Sequence, residues 1–294
     1  MLDFRLKTFF ILCKVLNYTT TAKLLHITQP AVSQHIKYLE KEYNVKLFNY
    51  KGKNLSLTKE GETLYRFVAG IESSSQKIKE RLSSSSDSNT NIKFGTTLTI
   101  GEYTMPKILT NLIKDYPNIH INMEVNNTKT LLQKLEDGDI DFALLEGHFN
   151  KDKYNTIRFS KEEFIGICSP LNSLANKESS FKEISKENLI IRETGSGSRE
   201  IFEQILYENN FTINRFKQIH EIGSISTIKD LIIENLGITF LYKNAVVEEL
   251  KSGKLNQLYI EDFNIEREYN FVFLQHNLNS ENYIDWFKYF CQFK

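Results

Sequence analysis

Residues 19–42 constrain the fold of this chain more than any other segment, because they carry two short helical patterns joined by a tight turn. Thr19 is a suitable N-cap for the first helix. Thr28 is a suitable N-cap for the second helix, and Pro30 falls in its first turn, where a missing N–H costs little. The segment therefore predicts a compact pair of helices.

The second of these helices has one apolar face and one polar face. Its apolar residues recur at helical spacing and predict a buried stripe of Val32, Ile36, Leu39 and Tyr43. Its outer face is suited to donate to phosphates and base edges in a major groove. The residues expected to face DNA on this helix are Thr28, Gln29, Ala31, Ser33, Gln34 and Lys37. The alternative is an ordinary helical hairpin with a solvated surface.

The chain after this helix predicts a β-hairpin with a basic tip. A strand pattern covers residues 45–48 and another covers 55–58, with a turn at Gly52 between them. Lys51 and Lys53 flank that turn and are expected to contact the phosphate backbone. A hairpin of this kind beside a DNA-reading helix is a wing.

The charge of the chain is concentrated at its N-terminus. The whole chain carries 37 basic and 37 acidic residues, and residues 1–60 contain ten of the former and four of the latter. This segment is therefore at +6 and the remainder at −6. A basic module on an acidic body favours salt-sensitive attraction to DNA.

A long helix is predicted over residues 58–82, followed by a serine-rich linker at 83–89. An approximate heptad seam runs along it, widened by Phe67. The seam consists of Leu64, Val68, Ile71, Ser75, Ile78 and Leu82. Pairing with a second copy explains so narrow a seam better than the alternative, packing onto its own domain. A two-fold dimer would also match a two-fold DNA site.

The remaining two-thirds of the chain alternates strand and helix patterns, which predicts parallel sheets flanked by helices. Ligands bind such sheets beyond the carboxyl ends of strands, near helix N-termini. Hydroxyl- or glycine-rich turns follow predicted strands at 96–99 and 146–147, and another precedes a helix at 194–199. Capping of helix ends and ligand binding are equally good explanations for Thr97, Ser196 or Ser198 alone.

Residues from Phe9 through Gly61 resemble the winged helix-turn-helix of LysR-type transcriptional regulators. The matching positions include Phe9, Ala22, Leu25, Gln29, Pro30, Ala31, Ser33, Ile36, Leu39, Glu40, Leu47, Phe48, Leu57, Thr58 and Gly61. Two departures are visible: Thr21 replaces the first alanine of an Ala-Ala pair, and Tyr50 replaces an arginine. Tyr50 removes the positive charge of that arginine, and Lys51 and Lys53 can supply a positive charge in its place.

The rest of the chain resembles the effector domain of the same family, closest to regulators of sulfur assimilation and carbon fixation. The matching stretches include residues 101–106, 116–117, 127–128, 140–141, 145–147, 192–199 and 237–238. Asn126 stands where the family usually has glycine. The resemblance places the effector contacts at Thr97, Thr99, Asn127, Glu146, Ser196, Ser198, Arg199 and Ser226.

The resemblance implies an α/β fold with an N-terminal winged helix-turn-helix and a long dimerisation helix. A two-lobed effector domain similar to periplasmic binding proteins follows. The corresponding divisions are 1–58, 59–90 and 91–294. It implies a transcriptional regulator controlled by a small anionic or zwitterionic effector, with no cofactor. The implied partners are double-stranded DNA, a second or further copies as homodimer or homotetramer, and RNA polymerase.

Other functions are less well supported by the sequence. No histidine or cysteine pair has metal-ligand spacing, and the loop at 195–198 is neither a P-loop nor a nucleophile elbow, so an enzyme is not expected. A solute-binding protein without DNA function and a cysteine-based redox sensor remain alternatives. Cys13, Cys168 and Cys291 are far apart in the chain, and an odd count favours a reducing compartment. We expect a cytoplasmic protein without a transmembrane segment.

Overall fold

The computed structural model describes residues 3–51, 54–83, 91–275 and 280–294. Three predicted features lie outside those residues: the turn at Gly52, the contact of Lys53 and the serine-rich linker. The side chains of Lys51, Ile78 and Leu82 also lie outside the described part of the chain.

The N-terminal domain, called the head below, consists of three helices, a β-hairpin and the first turns of a long helix. These elements are α1 (Phe4–Val15), α2 (Tyr18–Leu25), α3 (Gln29–Tyr43), β1 (Phe48–Lys51), β2 (Asn54–Leu57) and α4 (Lys59–Ser83). The predicted wing is present as the antiparallel pair β1 and β2. Its first strand begins at Phe48, so the strand predicted at 45–48 was placed three residues too early.

The apolar stripe of α3 forms the centre of the head core. Val32, Ile36 and Leu39 are at most 2% exposed and pack in the same cluster as Phe9 of α1. Tyr43 is 47% exposed, so the prediction that it belongs to the buried stripe was wrong. It is the last residue of α3, where the helix has passed the edge of the core.

The capping prediction is confirmed for α3 and was wrong for α2. The Thr28 side chain accepts from the Ala31 N–H at 3.3 Å, and α3 carries a proline in its first turn. Helix α2 begins before Thr19, because the Asn17 side chain caps it by accepting from the Thr20 N–H at 2.9 Å. Asparagine is among the strongest N-cap residues, so it displaces the later threonine.

Two residues fix the wing against the rest of the head. The Glu40 carboxylate on α3 accepts from the Leu47 N–H at 3.0 Å and from the Lys46 ammonium at 2.9 Å. Gly61, in the first turn of α4, lies so close to Leu47 that an added Cβ would be 2.2 Å from the Leu47 carbonyl oxygen. Only glycine permits that approach of the two backbones.

Helix α4 is continuous over 25 residues, as predicted. Its predicted apolar seam does not all face one partner, because some of its residues pack into the head and a neighbouring one faces solvent. Val68 is fully buried in the core of its own head, so it is not available to a second copy. The adjacent Phe67 is 57% exposed. The first half of α4 therefore packs onto its own domain with one face and presents another face to solvent.

The C-terminal part contains two lobes of strands and helices. The first lobe contains β3 (Asn91–Thr96), α5 (Met105–Asp115), β4 (His120–Val125), α6 (Thr128–Asp137), β5 (Phe142–Leu145) and the start of β6 (Tyr154–Cys168). The second lobe contains β7 (Glu178–Ser179), α7 (Phe181–Ile184), β8 (Asn188–Ile191), α8 (Gly197–Glu208), β9 (Gln218–Glu221), α9 (Ile225–Ile233), β10 (Thr239–Tyr242), α10 (Val247–Lys251) and β11 (Asn256–Ile260). The chain returns to the first lobe through β12 (Ile265–Leu274) and ends with α11 (Ser280–Cys291).

The sheets combine parallel and antiparallel pairs. The predicted parallel arrangement holds where β3 pairs with β4 and β5, and where β8 pairs with β9. It was wrong for the middle of the large sheet, where β12, β10 and β11 each run antiparallel to β6. The long strands β6 and β12 extend from one lobe into the other, and their register shifts between Tyr269 and Asn270. This irregularity marks the crossing between the lobes.

Within the described residues, none of the helices combines the length and the apolar composition that crossing a lipid bilayer requires.

Candidate DNA interface and effector cleft

The outer face of α3 presents polar side chains to solvent. Gln29, Gln34 and Lys37 are exposed, whereas Ser33 is half-buried and its hydroxyl accepts from the Gln29 amide at 3.1 Å. Ala31 is also half-buried, and Thr28 is exposed but uses its hydroxyl to cap the helix. The exposed amides of Gln29 and Gln34 and the Lys37 ammonium are of the types that read base edges or bind phosphate.

A further cation lies beside this face. The Arg5 guanidinium sits 3.9 Å from the ring centroid of Tyr38 on α3 and pairs with Asp3 at 3.3 Å. Arg5 is one of the ten basic residues in the first sixty, and the sequence pattern does not predict its position. Its position depends on the packing of α1 across α3, which the local pattern does not contain.

The first-lobe part of the effector cleft is built where parallel strands end. Thr97 and Thr99 follow β3, Glu146 follows β5, and Asn127 caps α6 by accepting from the Thr130 N–H at 2.9 Å. The Thr99 hydroxyl donates to the Glu146 carboxyl at 3.0 Å. Adjacent parallel strands bring their carboxyl ends to one edge, which is why residues far apart in sequence meet here.

The second lobe closes on this edge at glycines. A Cβ added to Gly147 would lie 2.9 Å from the Cα of Gly197, and one added to Gly197 would lie 3.0 Å from the Glu146 carbonyl oxygen. Gly147 has φ +88°, which also favours glycine. The hydroxyls of Ser196 and Ser198 lie on either side of Gly197, buried and 3.0 Å apart. The structure therefore brings Glu146 and both serines to one place.

Glu146 is the most perturbed carboxyl in the cleft. It is 2% exposed, and burial raises its pKa to about 7, opposed by the Thr99 hydrogen bond and by the charge of Arg192. A carboxyl in this range exists in both protonation states near neutral pH, so it can donate or accept a hydrogen bond.

Several buried polar atoms at or just beyond strand ends, Glu146 among them, have no hydrogen-bond partner among the described residues. They are Thr96 Oγ1, Thr97 Oγ1, Glu146 Oε2, Arg192 Nη1 and Tyr242 Oη. Buried polar groups are normally paired, so an unpaired cluster calls for a ligand or ordered water. For Thr97 this outcome disfavours the capping explanation, because its hydroxyl caps nothing.

Arg192 and Tyr242 interact electrostatically with Glu146 but are not among the residues that the sequence predicts for the effector site. Both are at least 95% buried. The charge of Arg192 lowers the pKa of Glu146, and the charge of Glu146 raises the pKa of Tyr242. Arg192 lies two residues before the turn at 194–199. An arginine at the end of an apolar strand was the available signal, since such a cation is rarely buried without a purpose.

Two predicted effector residues are engaged elsewhere in the second lobe. The Arg199 guanidinium donates to Glu203 at 2.7 Å, to the Arg192 carbonyl at 3.1 Å, and to Glu221. Ser226 is exposed, and its hydroxyl lies 2.9 Å from that of Ser224. Their part in effector binding stays a prediction.

The cysteines are poorly suited to redox sensing. Burial raises the pKa of Cys168 to about 12 and raises that of Cys13 further, while Cys291 is raised to a smaller extent. The reactive thiolate is therefore scarce at neutral pH. In the described part of the chain, no group of three or more His, Cys, Asp or Glu side chains is arranged to hold a metal ion.

The sequence matches two family models that together span most of the chain. Residues 4–62 match the bacterial regulatory helix-turn-helix protein of the lysR family, and residues 85–292 match the LysR substrate binding domain. This chain belongs to the LysR family. It is a DNA-binding transcriptional regulator with an effector-binding domain, and the family consists of regulators rather than enzymes. The alternative of a solute-binding protein without DNA function is thereby overturned.

Individual relatives agree with the predicted subgroup. The chain is 28% identical over 288 residues to the HTH-type transcriptional regulator CysL of Bacillus subtilis, covering 96% of this chain and 95% of the relative. It is 29% identical over 272 residues to a probable RuBisCO transcriptional regulator of Thalassiosira pseudonana, covering 90% and 88%. These are regulators to which the chain is similar.

Solved structures confirm the fold. Full-length LysG from Corynebacterium glutamicum with bound effector Arg has a TM-score of 0.73 at 14% identity, covering 99% of both chains. The regulatory domain of CcmR from Synechocystis, in complex with 2-PG, has a TM-score of 0.58 at 21% identity, covering 67% of this chain and 95% of that one.

Proposed function

We propose that the effector of this regulator is a small molecule with an anionic group, bound in the cleft around Glu146. The observation that carries this proposal is the unpaired Nη1 of the buried Arg192 guanidinium. Its Nε and Nη2 donate to the Glu193 carboxylate at 2.8 Å, so Nη1 is the nitrogen left to meet an anion. A buried cationic donor stabilises an anion strongly, and Thr97 adds a neutral donor. A zwitterion fits through its acidic group alone, so a simple anion such as sulfate or phosphate should bind at the same position.

Glu146 makes the preference for an anion conditional on pH. With a pKa of about 7, it is largely protonated below neutrality and then donates a hydrogen bond from Oε2. Above neutrality its charge repels an anion. We extend the proposed contacts to the predicted residues Thr99, Asn127, Ser196 and Ser198, and with less support to Arg199 and Ser226.

A calorimetric titration tests the effector class. Full-length protein at pH 6.5 is titrated with sodium sulfate, inorganic phosphate or arginine, alongside the variants Arg192→Gln and Thr97→Val. We expect at least one anion to bind and each variant to weaken it by about ten-fold or more. Thr110→Val is the matched control, because Thr110 is exposed and its hydroxyl binds only the Pro106 carbonyl in its own helix. Binding of arginine alone, or anion binding that survives Arg192→Gln, would contradict the assignment.

We also propose how the head engages DNA. Helix α3 enters the major groove, where Gln29 and Gln34 contact base edges and Lys37 contacts base edges or adjacent phosphates. Thr28, Ala31 and Ser33 line the same surface near the helix start. Lys51 and Lys53 in the wing contact the phosphate backbone, an expectation that rests on charge alone.

The proposal also covers the domain boundaries, the oligomeric state and the protein partners of the chain. We divide the chain into a winged helix-turn-helix at 1–58, a dimerisation helix and linker at 59–90, and the effector domain at 91–294. We propose a homodimer, or a homotetramer made of two dimers, with α4 contributing to the pairing surface. Contact with RNA polymerase at the promoter, in the cytoplasm where such DNA resides, follows from the regulatory role.

A further inference from the structure

Helix α6 connects the effector cleft with the DNA-binding head. At its N-terminal end, the Thr128 hydroxyl donates to the Glu146 carbonyl oxygen at 2.9 Å, and both residues are buried. Its N-cap Asn127 lies against the second lobe, where a Cβ added to Gly195 would be 4.0 Å from the Asn127 amide nitrogen. The position of this helix end therefore depends on the arrangement of the cleft.

The other end of α6 contacts the head. The Tyr65 hydroxyl on α4 donates to the Asp137 carboxylate at the last residue of α6. The Lys14 ammonium on α1 pairs with Asp139, just beyond the helix, at 3.3 Å. These two contacts, called the latch below, join the head to the first lobe through side chains that are 72 and 125 residues apart in sequence.

Both sides of the latch are held rigidly. Tyr65 is 6% exposed and its ring stacks on Phe10 with centroids 5.6 Å apart. Leu131 and Leu135 anchor α6 in the first lobe with no exposed surface. A helix of ten residues is about 15 Å long and transmits a displacement without bending.

The surroundings of the latch leave room for movement. A cavity of about 610 Å³ lies between the head and the first lobe, and charged side chains, including Glu62, Arg66 and Glu136, line it. The two domains are therefore joined here by a few polar contacts beside open space. Such a contact can exist in two arrangements, which a coupled system requires.

We propose that α6 transmits the state of the cleft to the DNA-binding head through the latch. The inference rests on the proposed function, in which the effector occupies the cleft end of α6. In the closed cleft described here, the Thr128 tether holds α6 so that Asp137 meets Tyr65. A change at the cleft moves α6, breaks or remakes the latch, and alters the position of the head for DNA.

The coupling is testable without any effector. Thr128→Val removes the hydroxyl tether at the cleft end while keeping the side-chain shape, and Tyr65→Phe removes the hydroxyl of the latch. The affinity of the full chain for its own upstream promoter fragment is measured by fluorescence anisotropy for each variant and for the double variant. Hydrogen exchange of amides 62–68 reports the state of the latch directly. Thr128→Ser, which keeps the hydroxyl, should behave as the parent chain.

Tyr154→Phe is the matched control for the latch. Tyr154 is as buried as Tyr65 and donates to Glu136 on the same helix at 2.7 Å, but that bond lies entirely within the first lobe. We expect Thr128→Val to change promoter affinity by a factor of about five or more in the parent and in Tyr154→Phe. In Tyr65→Phe the same change should alter affinity less than about two-fold, because the latch is already broken.

Equal effects of Thr128→Val in the parent and Tyr65→Phe backgrounds would overturn the proposal, as would no effect in either. Since these measurements use no ligand, they separate this inference from the effector class. Failure of sulfate and phosphate to bind would refute the anionic effector while the coupling between Thr128 and Tyr65 could still be observed.

Discussion

Burial, rather than residue type, gives Glu146 its chemistry. An exposed glutamate is an anion at neutral pH, whereas desolvation raises the pKa of this carboxyl to about 7. The neighbouring Arg192 charge and the Thr99 hydroxyl limit the rise. The cleft therefore combines an arginine, paired on one side with Glu193, with a carboxyl whose charge depends on pH.

This carboxyl predicts a pH dependence of anion binding. Sulfate keeps its charge between pH 5.5 and 8.5, so any change in its affinity reports the protein. We expect sulfate affinity to fall as pH rises through about 7, approaching ten-fold per unit, because the bound anion then faces the Glu146 carboxylate. In Glu146→Gln the affinity should not vary with pH. Isothermal titration calorimetry at several pH values measures this, and an unchanged slope in Glu146→Gln would assign the titration to another group.

The same shift has a consequence for stability. The folded-state pKa of about 7 lies above the ordinary value of 4.5, so the folded chain holds the extra proton between those pH values. The contribution of Glu146 to the free energy of unfolding is therefore fully present below pH 4.5 and declines as pH rises toward 7. The protonated carboxyl is the form that burial in the folded chain stabilises.

The outer face of α3 predicts two distinguishable effects on DNA binding. Gln34→Ala should reduce the preference for promoter over scrambled DNA, at a cost of about 1–3 kcal/mol for promoter DNA alone. Lys37→Ala should weaken binding to both DNAs and reduce the salt slope by about one, because it removes a phosphate-binding cation. Anisotropy titrations at several salt concentrations distinguish them, and the reverse pattern would exchange the two roles.

The sequence indicates polar groups that stand in recognisable turns, but it does not indicate groups that only burial reveals. Thr97 and Glu146 stand at strand ends that the sequence pattern indicates. Arg192 and Tyr242 became candidates only because the fold leaves their polar atoms buried and unpaired. Val68 was misplaced for a related reason: a heptad spacing does not tell which partner covers an apolar side chain.

At the scale of elements, the head depends on one close approach between α4 and the wing. Gly61→Ala would place a Cβ 2.2 Å from the Leu47 carbonyl oxygen, so the backbones must separate. We expect a loss of about 1–3 kcal/mol in head stability. Gly70→Ala is the matched control on the same helix, where an added Cβ meets no atom within 4 Å, and it should stabilise by up to about 1 kcal/mol. Hydrogen exchange of head amides in urea measures both, and equal effects would refute the steric explanation.

Local elements were more predictable than their pairing. Helix α4 begins and ends within one residue of its predicted bounds at 58 and 82, because apolar helical spacing is a local property. The antiparallel pairing of β6 with β12 joins residues about a hundred positions apart, and no local pattern encodes that register. The prediction of parallel sheets failed there, although the alternation of strands and helices was correct.

At the scale of the whole molecule, α4 offers an exposed apolar surface for pairing. Phe67 is 57% exposed on a helix whose opposite side is packed into the head. We expect Phe67→Ser to raise the dimer dissociation constant by roughly ten-fold or more, equivalent to about 1.4 kcal/mol. Tyr207→Ser is the control, since Tyr207 is 78% exposed on α8. Sedimentation measurements that find both variants as dimeric as the parent would exclude this surface of α4.

The distribution of charge accounts for how these parts act together on DNA. The first sixty residues are at +6 and the remainder at −6, so the head is attracted to the duplex while the effector domain is repelled from it. This polarity is consistent with the proposal that α3 and the wing make the DNA contacts. Sequence analysis alone supports this polarity, because it needs only the order of charges along the chain.

The most direct test of this account is the affinity of the full-length protein for its own upstream promoter fragment, compared with a scrambled duplex of equal length, at physiological salt. We predict tighter binding to the promoter by a factor of about 10³ or more, with the ratio reduced in Gln34→Ala. Equal affinity for the two duplexes, unchanged by Gln34→Ala, would contradict the assignment of α3 as the element that reads DNA.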